Sequence, residues 1–504
     1  MEKKIERLKK ISGDIMLMQH TIAMLGWDQE TYMPPAAIEE RSEQLSLLET
    51  MLHQKSTDPE IGELLSGLGA DENNPFGDSS LSQFDRALIR AFFRDYTKNT
   101  KLPTELVSKI AGQTSIAQNV WVKARGESDF SLFSPELKKL LALIKEKADY
   151  LGYEDHPYDA LLDEFEPEMK TAQVKEVFED ARDNLADLVQ RVADAPQVDD
   201  SMLRLNYPPQ KQEAFGRLVL KDMGFDMTRG RLDKSAHPFT TTLGRDDVRL
   251  TARYKEDFFG TGLFGIIHEG GHGLYELGYS EDIRGTLLAD AASLGIHESQ
   301  SRTWENIIGR SYSFWQHYFP LLQKYFPENL QNIQVDDFYR AINKVQPSHI
   351  RIDADEVTYS LHIILRFELE TKLITGSLEV DDIPDAWRDL SDTLLGIVPE
   401  KDADGALQDI HWSMGGIGYF PTYALGNFYS AQFFEAMKKQ REMVENEIGE
   451  GKLEGILAWL RDNIHQYGRA LTAEQLCRQV TGESLNPHYY IEYLKDKYSA
   501  IYEL

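Results

Sequence analysis

A chain of 504 residues with 83 acidic against 54 basic side chains carries a formal charge of −29 at neutral pH, which repels nucleic acid and anionic membrane surfaces alike. Apolar residues at 41 % and charged residues at 27 % are the balance of a soluble globular protein with a large core, not of a disordered one. The single cysteine, Cys477, excludes an intrachain disulfide scaffold, and no window approaches the roughly eighteen apolar residues of a membrane span.

Taken in order, the chain opens with apolar residues at helical spacing from Ile5 to Trp27, ending at Leu25-Gly26-Trp27-Asp28. Charged residues at Glu6-Arg7 and Lys9-Lys10 break the apolar run that a secretion signal needs, so a cytoplasmic protein is expected. Pro34-Pro35 starts a second helix that reaches Leu52, and residues 71–80, rich in Asn, Gly, Asp and Pro, read as a loop. Amphipathic helices follow over Ser82–Tyr96, Pro103–Arg125, Pro135–Leu151 and Thr171–Ala193. Length alone allows about three domains, but no repeat or linker divides this pattern, and residues 1–228 read as a mostly helical wall.

After Arg229 the composition changes. Phe239–Leu243 and Val248–Tyr254 alternate or are β-branched, with turn chemistry at Gly244-Arg245-Asp246-Asp247 between them, and form the one expected hairpin. It precedes Leu263–Tyr275, which contains His268-Glu269-Gly270-Gly271-His272, the pattern HExxH. On a helix the two imidazoles share a face and can reach one cation, with Glu269 placed to take a proton without ligating. Gly270, Gly271 and Gly273 each cost such a helix about 1 kcal/mol relative to Ala. That cost implies close approach by another backbone, either a packed helix or an extended substrate. Ser293–Gln300 begins another helix, and Glu298 on it lies 26 residues beyond His272. Glu298 is either a solvated helix residue of this acidic chain or a third ligand, and two His with a Glu would leave a fourth tetrahedral position open, the pattern of a catalytic zinc.

Further on, Ile350-Arg351-Ile352 reads as a short extended piece, with Asp353 and Glu356 as a capping box for a helix that reaches Leu373 and closes at Gly376. Arg351 at that helix entrance either forms a surface salt bridge or points into a cleft. His411, in the stretch before the glycine-rich, aromatic loop 415–423, is either a satisfied core residue or, with the Tyr residues of the loop, an oxyanion donor.

Several stretches together resemble the carboxypeptidase Taq family of zinc metallocarboxypeptidases. They are Trp27-Asp28-Gln29 with Met33-Pro34, His237-Pro238-Phe239, Asp247–Thr251, His268–His272, His297-Glu298-Ser299-Gln300, Ile350–Asp355 and Gly405–Trp412. The resemblance implies a mainly α-helical, neurolysin-like zincin fold. It would form a single domain over residues 1–504 in which two helical walls enclose a deep groove, with the hairpin and the metal-site helices in 229–504. It implies one Zn²⁺ per chain, replaceable by Co²⁺, and homodimers. It also implies removal of single residues from peptides with a free C-terminal carboxylate, with broad tolerance. Carried over, His268, His272 and Glu298 would be the metal ligands and Glu269 the general base. His411 and Tyr423 would stabilise the oxyanion, with Tyr419 as the competing tyrosine. His237, Arg249 and Arg351 would meet the substrate, the two arginines at its C-terminal end. Competing readings are an oligopeptidase that cuts internally and, from a different class, a helical binding protein whose metal is structural.

Overall fold

Where the sequence carries an amphipathic period, the computed structural model, which describes residues 1–504, forms helix. The first part holds α1 (Glu2–Thr31), α2 (Ile38–Ser56), α3 (Pro59–Gly67), α4 (Gln83–Lys101), α5 (Thr104–Glu127), α6 (Phe130–Leu151), α7 (Pro157–Leu162), α8 (Thr171–Asp194) and α9 (Pro209–Asp222). Strands β1 (Gly230–Lys234), β2 (Thr240–Gly244) and β3 (Asp247–Ala252) then precede α10 (Phe259–Glu276) and α11 (Leu294–Arg302). The chain finishes with α12 (Tyr312–Tyr325), α13 (Pro327–Leu330), α14 (Val335–Ile342), α15 (Tyr359–Thr375), α16 (Ile383–Leu395), α17 (Pro421–Gln440), α18 (Val444–Gly449), α19 (Glu454–Asn463), α20 (Ala473–Thr481) and α21 (His488–Tyr502). The fold is thus mainly α with one small sheet. No helix is long and apolar enough to cross a membrane.

Local chemistry sets most boundaries. Ser82 and Ser293 accept backbone N–H groups at the starts of α4 and α11, and Gly376 closes α15 in the left-handed region with φ 76°. Four expectations need correction. The first helix passes Gly26 and Trp27 and runs to Thr31, because Trp27 is buried and the stop is set further on, where Met33 precedes Pro34. Helix α6 begins at Phe130 on an Asp129 cap, five residues before Pro135, which lies inside the helix and leaves the Ser131 carbonyl without its i+4 N–H partner. Arg351–Asp353 is a single 3₁₀ turn, not extended. Helix α15 starts only at Tyr359, after Asp355 has accepted N–H bonds from Val357 and Thr358. Asp353 therefore caps nothing, and Glu356 is drawn instead into a buried cluster with Lys497, Tyr493 and Tyr498.

The expected hairpin forms as β2 antiparallel to β3, with an irregularity between Thr242 and Gly244. A further strand, β1, runs parallel to β3 on its other side, giving the order β1-β3-β2. Its sequence Gly-Arg-Leu-Asp-Lys lacks an apolar alternation, so only position in the fold makes it a strand. Val248, Leu250 and Ala252 turn into the core against α10. An open cavity of about 490 Å³ separates α1 and α4, through Gln19, His20 and Lys98, from Thr242 of β2 and Glu276 at the end of α10.

Candidate active site

The HExxH segment lies in the middle of α10, which is buried along most of its length. Gly271 answers the question raised by its composition. A Cβ there would stand 2.7 Å from Ser301 Cα and 2.8 Å from the Gln300 carbonyl oxygen, so α11 passes backbone to backbone. Gly270 and Gly273 instead make room for Leu220 and Met223 and for Phe225 and Leu250. The close approach brings Glu298 to the imidazoles. His268 Nε2 and His272 Nε2 are 3.2 Å apart, and Glu298 Oε2 lies 3.6 and 3.3 Å from them. Metal–ligand bonds of about 2.0–2.1 Å at tetrahedral angles place ligand atoms about 3.3 Å apart, so the three residues fit a small divalent cation.

Each member of the cluster is held from behind. His268 Nδ1 meets Glu305 Oε2 at 2.9 Å, which leaves Nε2 turned to the cluster. Glu305 reaches it from Thr303–Ile308, where α11 widens into a π turn. His272 stacks on His297, ring centroids 4.3 Å apart, and His297 Nε2 is anchored 2.9 Å from Glu276 Oε1. Burial pushes His272 down to about 3, keeping its imidazole neutral. Arg302 Nε donates to Glu298 Oε1 at 2.6 Å, leaving Oε2, which also accepts from Ser301 Oγ at 3.2 Å, turned to the imidazoles. Against its burial, Arg302 and the two imidazoles hold Glu298 well below the usual carboxylate range. Glu269 ligates nothing in the cluster and is held from the sheet, where Thr240 Oγ donates to its Oε2 at 2.7 Å. Burial raises this carboxyl, which suits a group that must accept a proton near neutral pH.

A second set of residues gathers around Asp409. Arg351 donates to Asp409 Oδ1 at 3.2 and 2.8 Å, and Arg366 to Oδ2 at 2.7 and 2.5 Å. Arg351 is 5 % exposed, so it is a buried ion-pair member and not a surface salt bridge. Its remaining nitrogen donates to the Tyr359 hydroxyl at 3.1 Å, and its guanidinium lies 5.0 Å from the Tyr423 ring centroid. One carboxylate between two guanidiniums leaves one uncompensated positive charge. His411 packs between Tyr419 and Phe420, and burial lowers it to about 4, so it is neutral with an N–H to donate. The Tyr423 hydroxyl is 3.4 Å from that of Tyr419, and burial raises Tyr423 well above its ordinary value, keeping it a donor. Tyr423 stands one turn before Gly426, whose absent side chain is the space that Glu298 fills. Tyr359 links the two sets, its ring 4.6 Å from the Arg302 guanidinium and 6.2 Å from the Tyr423 ring.

Two sequence candidates stay apart from these sets. Arg249 is tied to Asp247 by two bonds of 2.9 Å and lies over the Trp27 ring at 4.2 Å, on the sheet face turned to α1. His237 is exposed in the β1–β2 link, where its carbonyl accepts from Ser235. Residues that sequence reasoning missed include Thr240, Glu305, Asp409, Arg366 and Tyr359. Only Asp409 carried a signal, its place beside His411 in Gly405–Trp412.

A buried HExxH helix with a carboxylate brought in by a neighbouring helix as third ligand defines a metallopeptidase centre on a helical fold. The family described as carboxypeptidase Taq (M32) metallopeptidase matches residues 7–498. The chain is 41 % identical to thermostable carboxypeptidase 1 of Thermus thermophilus over 95 % of each chain, and 39 % identical to carboxypeptidase 1 of Bacillus subtilis over 99 % of this chain and 97 % of that one. The crystal structure of M32 carboxypeptidase from Deinococcus radiodurans superposes with a TM-score of 0.96 at 37 % identity, covering 100 % of both chains. The chain belongs to the carboxypeptidase Taq (M32) family, and it is a metallocarboxypeptidase.

Proposed function

We propose that this metallocarboxypeptidase is zinc-dependent and removes single amino acids from peptides with a free C-terminal carboxylate, with broad side-chain tolerance. The observation that carries the reading is the juxtaposition of the His268–His272–Glu298 cluster with the buried, net-positive Arg351–Asp409–Arg366 group. One Zn²⁺ held by His268, His272 and Glu298 would polarise the scissile carbonyl and make water a nucleophile at neutral pH, and Co²⁺ fits the same donors. Glu269, oriented by Thr240, takes the proton from the attacking water and passes it to the leaving amine. Tyr423 and neutral His411 donate to the developing oxyanion, each worth roughly 3 kcal/mol. The position of Tyr423 one turn before Gly426, against which Glu298 packs, favours it over Tyr419 for this task. Arg351 supplies the charge for the terminal carboxylate, its planar fork matching the two oxygens. Arg249 and His237, on the sheet side, serve the same substrate further from the reacting bond. A homodimer and a cytoplasmic location complete the proposal. One buried cysteine suits a reducing compartment.

Release of a free amino acid from an N-blocked peptide, compared with its C-terminal amide and with chelator-treated enzyme, tests this. Release from the free acid alone, abolished by chelator and restored by Zn²⁺ or Co²⁺, is expected. Internal fragments from both peptides would establish an oligopeptidase instead. Bound metal without any cleavage would leave a binding protein.

A further inference from the structure

The turn after α7 lies in the part of the chain that the sequence marks only as wall, yet it grips two helices of the site. Glu166 is 1 % exposed, and one of its oxygens accepts from the Gly295 amide at 2.5 Å and from the Thr422 hydroxyl at 2.9 Å. Gly295 is in the first turn of α11, one turn ahead of Glu298. Thr422 is in the first turn of α17, next to Tyr423. Both helices therefore present their positive ends to a single carboxylate. The neighbouring Phe165 reinforces the grip. Its carbonyl accepts from the Leu294 amide at 3.0 Å, and its ring meets that of Tyr419 edge-on at 5.1 Å. A Cβ on Gly295 would stand 2.9 and 3.0 Å from the two Glu166 oxygens, so the contact admits no larger residue.

We infer that Glu166 is a positioning residue for peptide hydrolysis: it locks the end of α11 that carries Glu298 to the end of α17 that carries Tyr423, and so sets the distance between the metal-binding cluster and the oxyanion donor. The inference rests on the roles given above to Glu298 and Tyr423. Glu166 touches no substrate and acts through the first turns of α11, at Gly295 and its Ser293 cap, and of α17, at Thr422. A shift of α17 relative to α11 misplaces the Tyr423 hydroxyl by a fraction of its hydrogen-bond length. Such errors act on the transition state more than on the bound substrate.

The test uses full-length, metal-loaded enzyme and reads kcat, KM and bound metal separately. Thr422→Val removes the hydroxyl that reaches Glu166 while keeping the side chain's shape. It should lower kcat by about tenfold to a hundredfold and leave KM and metal content within about twofold. Thr422→Ser, which restores the hydroxyl, should recover most of the rate. Glu166→Asp, one methylene too short to hold both donors, should lose kcat in the same way. Combined with Tyr423→Phe, Thr422→Val should add little further loss, because both act on one hydroxyl. If Glu166→Asp fails to fold, the Thr422 pair decides. Wild-type kcat in Thr422→Val beside a slow Tyr423→Phe overturns the role of Glu166 and leaves the oxyanion reading intact. A loss that Thr422→Ser does not recover, or that multiplies with Tyr423→Phe, also overturns it. A Tyr423→Phe enzyme as fast as wild type overturns the oxyanion reading itself, and the positioning role falls with it.

Discussion

Thr240 does for Glu269 what Glu305 does for His268: a side chain outside the reacting set fixes which oxygen or nitrogen faces inward. Because Glu269 is held by the sheet and not by the His268–His272–Glu298 cluster, its role separates cleanly from metal binding. Glu269→Gln should keep stoichiometric metal and lower kcat by about 10²–10⁴-fold. Substantial turnover in the metal-loaded variant would remove the general-base assignment. Arg351 calls for a different comparison, since it shares Asp409 with Arg366. Arg351→Ala leaves Asp409 paired, so the fold should persist, while the excess positive charge disappears. The expected result is a loss of at least about 2 kcal/mol in transition-state binding on free-acid peptides, with slow background cleavage of amidated ones unchanged. An equal loss on both substrates would show that the arginine serves the architecture and not the carboxylate.

The elements of the site differ in how visible they are from sequence, and the difference follows the range of their contacts. His268 and His272 are legible because one helical turn relates them, and Gly271 because its cost on a helix demands a reason. Glu298 is legible only as a spacing, and Glu166 and Glu305 not at all. Each is one glutamate among many in an acidic chain, and its meaning comes from a partner 129 residues away at Gly295 or 37 away at His268. β1 was invisible for the same reason, being a strand only because β3 lies beside it. The α10–α11 contact carries its own prediction. Gly271→Ala gains helix propensity of about 1 kcal/mol, but its methyl meets the α11 backbone at Ser301 and Gln300, which cannot rotate away. A net destabilisation of about 1–3 kcal/mol is expected in urea unfolding, with weaker metal binding as Glu298 is pushed from the imidazoles. A variant as stable as wild type with unchanged metal affinity would mean that α11 yields and the contact sets nothing.

At the scale of the whole molecule, the two halves read from sequence are laced together. Trp121 of α5 donates to the Leu407 carbonyl at 3.1 Å, Tyr158 of α7 to Glu370 of α15 at 2.6 Å, and a single core of 123 buried residues runs from Ile5 to Tyr502. We therefore expect one cooperative unit, with neither 1–228 nor 229–504 stable alone. That lacing also sets a pH dependence. Glu166 and Glu370 are fully enclosed, and burial raises each from 4.5 to about 7. For an acid raised on folding, the contribution to stability is complete below about pH 4.5 and is lost as pH climbs through 7. A shift of that size corresponds to about 3 kcal/mol per carboxyl. Asp409 works in the opposite sense. Despite its burial, Arg366 and Arg351 hold it below the usual carboxylate range, so its contribution is present above about pH 4 and lost in stronger acid. Stability should therefore peak in mildly acidic solution, near pH 5, and decline by a few kcal/mol toward pH 8. Glu370 is the better probe, because it receives Tyr158, Trp412 and Gly418 without touching the metal-binding cluster. Gln at this position keeps the shape of the carboxyl and has no proton to lose; its NH2 turns toward one of the three donors, a cost that is the same at every pH. Glu370→Gln should unfold in urea with a shallower decline between pH 5 and 8 than wild type. Parallel curves for the two proteins would place the neutral-pH loss of stability elsewhere and return Glu370 to an ordinary ionised carboxylate held by its three donors.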